Sequence, residues 1–179
     1  RDVAPSRGLG DVYKRQNHYT TFGYASYSPT ISGWGSGQYS VLVYNQPAVE
    51  QQPNTTNGWS FNFSQDFGPK WNVFARINGV TGHVNEVNQS YVLGTVYNDP
   101  LDRNPLDQIG FAAAYNKIDK IAVGEPTNHK AEKMLEAYWA WGISKWMTIT
   151  PDVQFYIDPA LNPKSDYDTV FSLRTTFFF

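Results

Sequence analysis

From about residue 18 onward, apolar and polar residues alternate with a period of two, in segments of roughly 8 to 13 residues separated by Gly, Pro, Asn and Asp clusters. That period belongs to strands with one greasy and one mixed face. Trp59, Phe61 and Phe63 alternate with Ser60, Asn62 and Ser64, and Trp71, Val73, Ala75 and Ile77 with Asn72, Phe74, Arg76 and Asn78. Between them, Asp66-Phe67-Gly68-Pro69-Lys70 has the Gly and Pro of a hairpin turn. Further on, Ile109, Phe111, Ala113 and Tyr115 oppose Gln108, Gly110, Ala112, Ala114 and Asn116, small residues that leave room on the inner side. Leu135, Ala137, Trp139 and Trp141 then oppose Glu136, Tyr138, Ala140 and Gly142. The stretch Lys130 to Trp141 also contains good helix formers, but its alternation and the short link Gly142 to Lys145 favour a hairpin. In the next segment Pro151 predicts a bulge or a locally unpaired position. The last segment sets Phe171, Leu173, Thr175, Phe177 and Phe179 against Ser172, Arg174 and Thr176. About nine strands result.

The longest apolar runs are a few residues, far short of the roughly 20 that a membrane-spanning helix needs. The mean hydropathy of −0.48 does not argue against a membrane, because a transmembrane barrel alternates lipid-facing with lumen-facing side chains. Twelve Tyr, eleven Phe and six Trp make up 16% of the chain, and amphipathic rings concentrate where a membrane protein meets headgroups. The fold class is read as all-β: a transmembrane antiparallel β-barrel, of which the chain holds a C-terminal fragment. A formal net charge of −2 without Lys/Arg runs sets nucleic acid aside as a partner. The absence of cysteine excludes a disulfide framework and thiolate metal sites.

Residues 1–16 show no strand or helix period and are read as a non-native or disordered leader, with the barrel domain over 17–179. No signal peptide opens the chain, so further strands are expected upstream. If the final strand ends on the periplasmic side, the links at 66–70 and 142–145 are short periplasmic turns. The longer links at 46–57, 81–89, 118–130 and 158–166 then lie outside. Two periplasmic links, 28–37 and 98–105, are longer than that pattern prefers.

At this point the residues resemble a known family, the carbohydrate-selective porins of the OprB type. The resemblance rests on Glu136-Ala137-Tyr138, on the run from Trp146 through Thr148-Ile149-Thr150-Pro151-Asp152-Val153-Gln154-Phe155-Tyr156 to Pro159, and on Phe171-Ser172-Leu173-Arg174 with terminal Phe179. Gln65-Asp66-Phe67-Gly68-Pro69, Val73-Phe74-Ala75-Arg76, and Arg103 with Asp107 and Gly110 are similar to the family's middle strands. The chain departs at Asp158-Pro159-Ala160, where the family commonly has Asn before Pro and Gly after it. The resemblance implies a pore of about sixteen strands in the bacterial outer membrane. It implies passive, sugar-preferring diffusion of small carbohydrates, with no cofactor. Outer-membrane lipid and the assembly machinery are the implied partners, the latter reading Phe171, Leu173, Phe177 and Phe179; homo-oligomer formation stays open.

Sugar passage needs side chains that exchange hydrogen bonds with hydroxyls without holding them tightly. The expected pore-lining residues are Asn62, Asn72, Arg76, Glu136, Tyr138, Gln154, Tyr156 and Arg174. The competing structural reading makes Arg76, Glu136 and Arg174 a salt-bridge ladder that stiffens the wall. Trp59, Trp71, Trp139, Trp141 and Trp146 read as an interfacial girdle rather than a sugar platform. His18, His83 and His129 lack metal-ligand spacing, so no metal site is expected. Asp99, Asp102 and Asp107 read as a solvated turn rather than a Ca²⁺ site. Three other functions compete: a general diffusion porin without sugar preference, an outer-membrane hydrolase using His18 or His83, and a soluble β-sandwich that binds carbohydrate.

Overall fold

The computed structural model describes residues 19–50, 52–123, 129–160, 162 and 164–178. Ten strands form one antiparallel sheet. In chain order they are β1 (Thr21–Tyr27), β2 (Thr30–Ile31), β3 (Gly35–Gln46), β4 (Thr56–Phe67), β5 (Trp71–Val80), β6 (Val87–Asn98), β7 (Gln108–Ile118), β8 (Ala131–Ser144), β9 (Met147–Ile157) and β10 (Tyr167–Phe177). A single helical turn, α1 (Lys120–Val123), sits in the link between β7 and β8. Apart from β2, each strand pairs with its sequence neighbours, in the order β1-β3-β4-β5-β6-β7-β8-β9-β10. This meander needs only local hairpins, and from β3 to β10 its long strands have 10 to 14 residues. A tilted transmembrane strand needs about 9–11.

The pairing register puts the apolar half of every alternation on one side. One row runs Phe63, Ala75, Leu93, Ala113, Leu135, Phe155 and Thr169 across seven strands. No second layer covers it among the described residues: Leu93 is 60% exposed, Phe111 56% and Leu173 72%. The buried apolar side chains described are only Ala114, Ile118, Ala131 and Ala160, whereas Gln65, Thr56 and Asp107 are fully buried. A water-soluble domain reverses this pattern; a wall whose greasy face meets lipid requires it.

Rings gather on that face at both ends of the strands. Near the short turns, Trp71 packs on Tyr97 (ring centroids 4.7 Å apart), Trp139 on Trp141 (5.0 Å) and Trp146 on Phe177 (6.0 Å). Near the longer links, Tyr91 meets Tyr115 (6.3 Å) and Phe155 meets Tyr167 (5.9 Å). Two bands of amphipathic rings bracket an aliphatic belt, the layout of an interfacial girdle.

Three expectations are refined. Residues 131–141 are strand, as their alternation predicts, because β7 and β9 flank them with matching apolar faces and tertiary pairing overrides helix propensity. Pro151 makes no bulge but is the locally unpaired position expected: Leu173 pairs with it in unbroken register on the β10 side, while on the β8 side the pairing passes from Tyr138–Asp152 to Trp141–Ile149 without it, and the register shift of β8 against β9 lies between Gly142 and Ser144. A two-residue loop, Lys145-Trp146, demands that adjustment. The link at 28–37 is long because it contains β2, which folds back on β3. There Gln65 Nε2 donates to the carbonyls of Gly35 (3.2 Å), Ser36 (3.2 Å) and Asp66 (2.9 Å), and Gln65 Oε1 accepts from Tyr39 Oη (2.6 Å).

Candidate functional site

The opposite face carries all eight expected lining residues. Strand alternation and pairing place Asn62 beside Arg76, Glu136 beside Gln154, Tyr138 beside Asp152, and Arg174 beside Thr150. They form separate groups. On β4 and β5, Arg76 Nε donates to Asn62 Oδ1 (2.7 Å), while Asn62 Nδ2 donates to Ser60 Oγ (3.2 Å) and Ser40 Oγ (3.3 Å). Asn72 lies nearer the short turn, its Nδ2 donating to Asp66 Oδ1 (2.8 Å) and Ser64 Oγ (3.0 Å).

The second assembly spans β8, β9 and β10. Tyr156 Oη donates to Gln154 Oε1 (2.7 Å), and Gln154 Nε2 donates to Asp152 Oδ1 (3.1 Å), which also accepts from Ser172 Oγ (3.1 Å). Glu136, Tyr138, Thr150, Asp152, Ser172 and Arg174 line a concavity of about 510 Å³. Three strand spacings, about 14 Å, separate β5 from β8. The middle of the intervening inner face is small or apolar, with Val92, Gly94 and Val96 on β6 and Gly110, Ala112 and Ala114 on β7. The two hydrogen-bonding groups are thus separated by a smooth strip at mid-height, which gives way toward the longer links to Ser90 Oγ donating to Asn116 Oδ1 (2.7 Å).

Among the described residues, no ion pair joins Arg76, Glu136 and Arg174 into a ladder. Arg76 finds an amide rather than a carboxylate because its cross-strand neighbours are Asn62 and Val92. Three inner rings lie against glycines: a Cβ on Gly58 would collide with Tyr44, one on Gly94 with Phe74, and one on Gly110 with Tyr138. Missing side chains let those rings lie against the wall.

Asp107 departs from the solvated-turn expectation. It is fully buried, takes two hydrogen bonds of 2.8 Å from Arg103 Nη2, and accepts the Gly142 N–H at 2.6 Å. Arg103 also lies 4.1 Å from the centre of the Trp141 ring. Asp99 Oδ1 accepts from the N–H groups of Arg103 (2.9 Å) and Asn104 (3.2 Å), so only Asp102 stays at the surface, paired with Lys70. Nothing in residues 98–107 announces that β8 will bring Gly142 against this turn.

At the other end, Glu132 on β8 accepts from Asn116 Nδ2 (2.9 Å) and from the N–H of Ala160 (2.8 Å), tying the link after β9 to the wall. His83 Nδ1 lies 2.7 Å from Asp119 Oδ2. Burial acts to raise the Asp119 pKa, but hydrogen bonds from His83, Ile121 and Ala122 outweigh it and hold the carboxyl below the ordinary aspartate range. His129 is 3.1 Å from Asp158, and with Asp166 their ligating atoms lie within 4.8 Å of one another. Sequence spacing missed that grouping because pairing of β8, β9 and β10 creates it. His18, Phe179 and residues 1–16 lie outside the described residues.

The comparisons with known proteins follow this geometry. A family model described as carbohydrate-selective porin, OprB family, matches residues 13–179. The chain belongs to the OprB family. It is 41% identical over 168 residues to porin AaxA of Chlamydia abortus, covering 93% of this chain and 37% of that protein. It is 39% identical over 160 residues to porin AaxA of Chlamydia pneumoniae, covering 89% and 36%. This OprB-family chain therefore spans a little over a third of the length of the curated relatives it matches. The high-pH structure of Pseudomonas putida OprB superimposes with a TM-score of 0.75 at 18% identity, over 89% of this chain and 48% of that one. The shared fold is that of an outer-membrane porin wall. The family is one of porins and the relatives carry that name, which places the chain in the bacterial outer membrane and displaces the soluble-sandwich reading.

Proposed function

We propose that the full-length protein is a passive diffusion channel that prefers small carbohydrates, and that the polar face of this sheet lines its water-filled lumen. The carrying observation is the division of the sheet: aliphatic and aromatic side chains on one face, and amides, hydroxyls and a few charges, including Glu136, Asp152 and Arg174, on the other. Hydroxyl-rich solutes exchange hydrogen bonds readily with such a surface, and its modest individual bonds let them leave again. Asn62, Asn72, Arg76, Glu136, Tyr138, Gln154, Tyr156 and Arg174 are the proposed lining residues. Residues 17–179 are proposed as the C-terminal part of a barrel of about sixteen strands. On β10, Phe171, Leu173 and Phe177, with Phe179 beyond the described residues, are the proposed motif for the assembly machinery.

Liposome swelling with the full-length protein tests this reading. Sugars are expected to permeate faster than amino acids of similar size. Equal rates would leave a general diffusion porin in its place.

A further inference from the structure

We propose that the inner face of β3 to β6, at the end with the longer links, is a binding subsite for a single neutral sugar ring, built by Tyr44, Asn78 and Asn88. The inference rests on the sugar-channel reading and gives it a location. Val87 pairs with Ile118 but Gln89 with Lys117, so Asn88 is the extra residue of a bulge. Bulges re-aim side chains and recur at barrel rims and functional sites. The Asn88 Oδ1 atom is buried with no hydrogen-bond partner among the described residues, a state that native structures seldom leave uncompensated.

Beside it lies a cavity of about 270 Å³, whose walls include Tyr44, Ser60, Asn78, Asn85, Asn88 and Ser90. This is just under the ~300–1,000 Å³ typical of sites for drug-sized ligands, room for one ring rather than a chain. Ser60 Oγ donates to Asn78 Oδ1 (2.6 Å), which leaves the Asn78 amide hydrogens without an acceptor among the described residues. A hydroxyl both donates and accepts, so one diol can give a hydrogen to Asn88 Oδ1 and take one from Asn78 Nδ2. Tyr44 is held flat over Gly58, where a Cβ would collide with its ring, and an aromatic face suits the C–H surface of a sugar. No Lys, Arg, Asp or Glu lines the cavity, which favours a neutral polyol over an ion or a zwitterion.

The test uses full-length protein in planar bilayers, with glucose as the probe and glucose-induced current fluctuation as the readout. Asn88→Leu and Tyr44→Leu should each raise the half-maximal glucose concentration about tenfold, the equivalent of one lost hydrogen bond or stacking contact. Tyr44→Phe should leave it unchanged, and all three should still insert and open as channels in the bilayer, which reports a folded pore. An unchanged glucose response in both Leu variants overturns the subsite while sugar preference in swelling stands. A wild-type channel with neither sugar preference nor glucose response overturns the sugar reading itself. Should Asn88→Leu not form channels, Asn88→Ala removes the acceptor without added bulk and carries the same expectation.

Discussion

A few buried polar side chains fix the ends of this wall. Asp107 satisfies a guanidinium and a backbone N–H at once, so Asp107→Ala leaves both without their acceptor. Losing one partner of a fully buried pair costs about 3–5 kcal/mol; Arg103 retains 38% side-chain exposure, which lowers the expected loss to about 2–3 kcal/mol. Urea unfolding of the full-length protein in detergent measures it. Asp119 provides a pH dependence with a definite sign. Its folded pKa is depressed, so its stabilisation is complete above the ordinary aspartate value near ~3.9 and is lost as pH falls through the folded value. The protection of the Ile121 and Ala122 amides, relative to their intrinsic exchange at each pH, should therefore fall in acid as Asp119 is protonated below about pH 4. In Asp119→Asn that acid step should disappear.

At the scale of the strand, a side chain's face decides its tolerance. Leu93 stands in the middle of the aliphatic belt, so Leu93→Arg should cost about 2–4 kcal/mol at the bilayer midplane. Gln154→Arg, on the opposite face of β9, gives up the acceptor of Tyr156 Oη and should cost about 1 kcal/mol, a typical net hydrogen bond, while shifting the ion selectivity of the pore. Folding titrations into lipid vesicles separate the two. Gly110→Ala tests the seating of the inner rings: its new Cβ meets Tyr138 and should push that ring into the lumen, lowering single-channel conductance. Unchanged conductance would show that the ring does not set the local bore.

At the scale of the molecule, β1 and β10 each have one edge unpaired in the described sheet, and its apolar face is bare. Open edges and uncovered aliphatic surface both drive association. The 179-residue chain alone is therefore expected to stay monodisperse only in detergent, which size-exclusion chromatography with and without detergent checks. Much of this architecture was legible beforehand. The phase of Trp59 to Phe63, of Ile109 to Tyr115 and of Phe171 to Phe177 could be read because alternation is a local property. Asp107, Glu132 and Asn88 were not legible as partners, since each meets or lacks a partner through strands distant in the chain.

The sequence by itself determined which side chains share a face, how long the strands are, and that one face must meet an apolar medium. These follow from the two-residue repeat of extended backbone, which neighbouring residues already encode. Only the tertiary structure decided which residues stand side by side. Register set Arg76 against Asn62 instead of a carboxylate, carried Gly142 to Asp107, and put the Asn88 bulge beside a cavity. Cross-strand adjacency depends on pairing and on where a bulge slips the ladder, and a residue's own neighbours in the chain do not specify either.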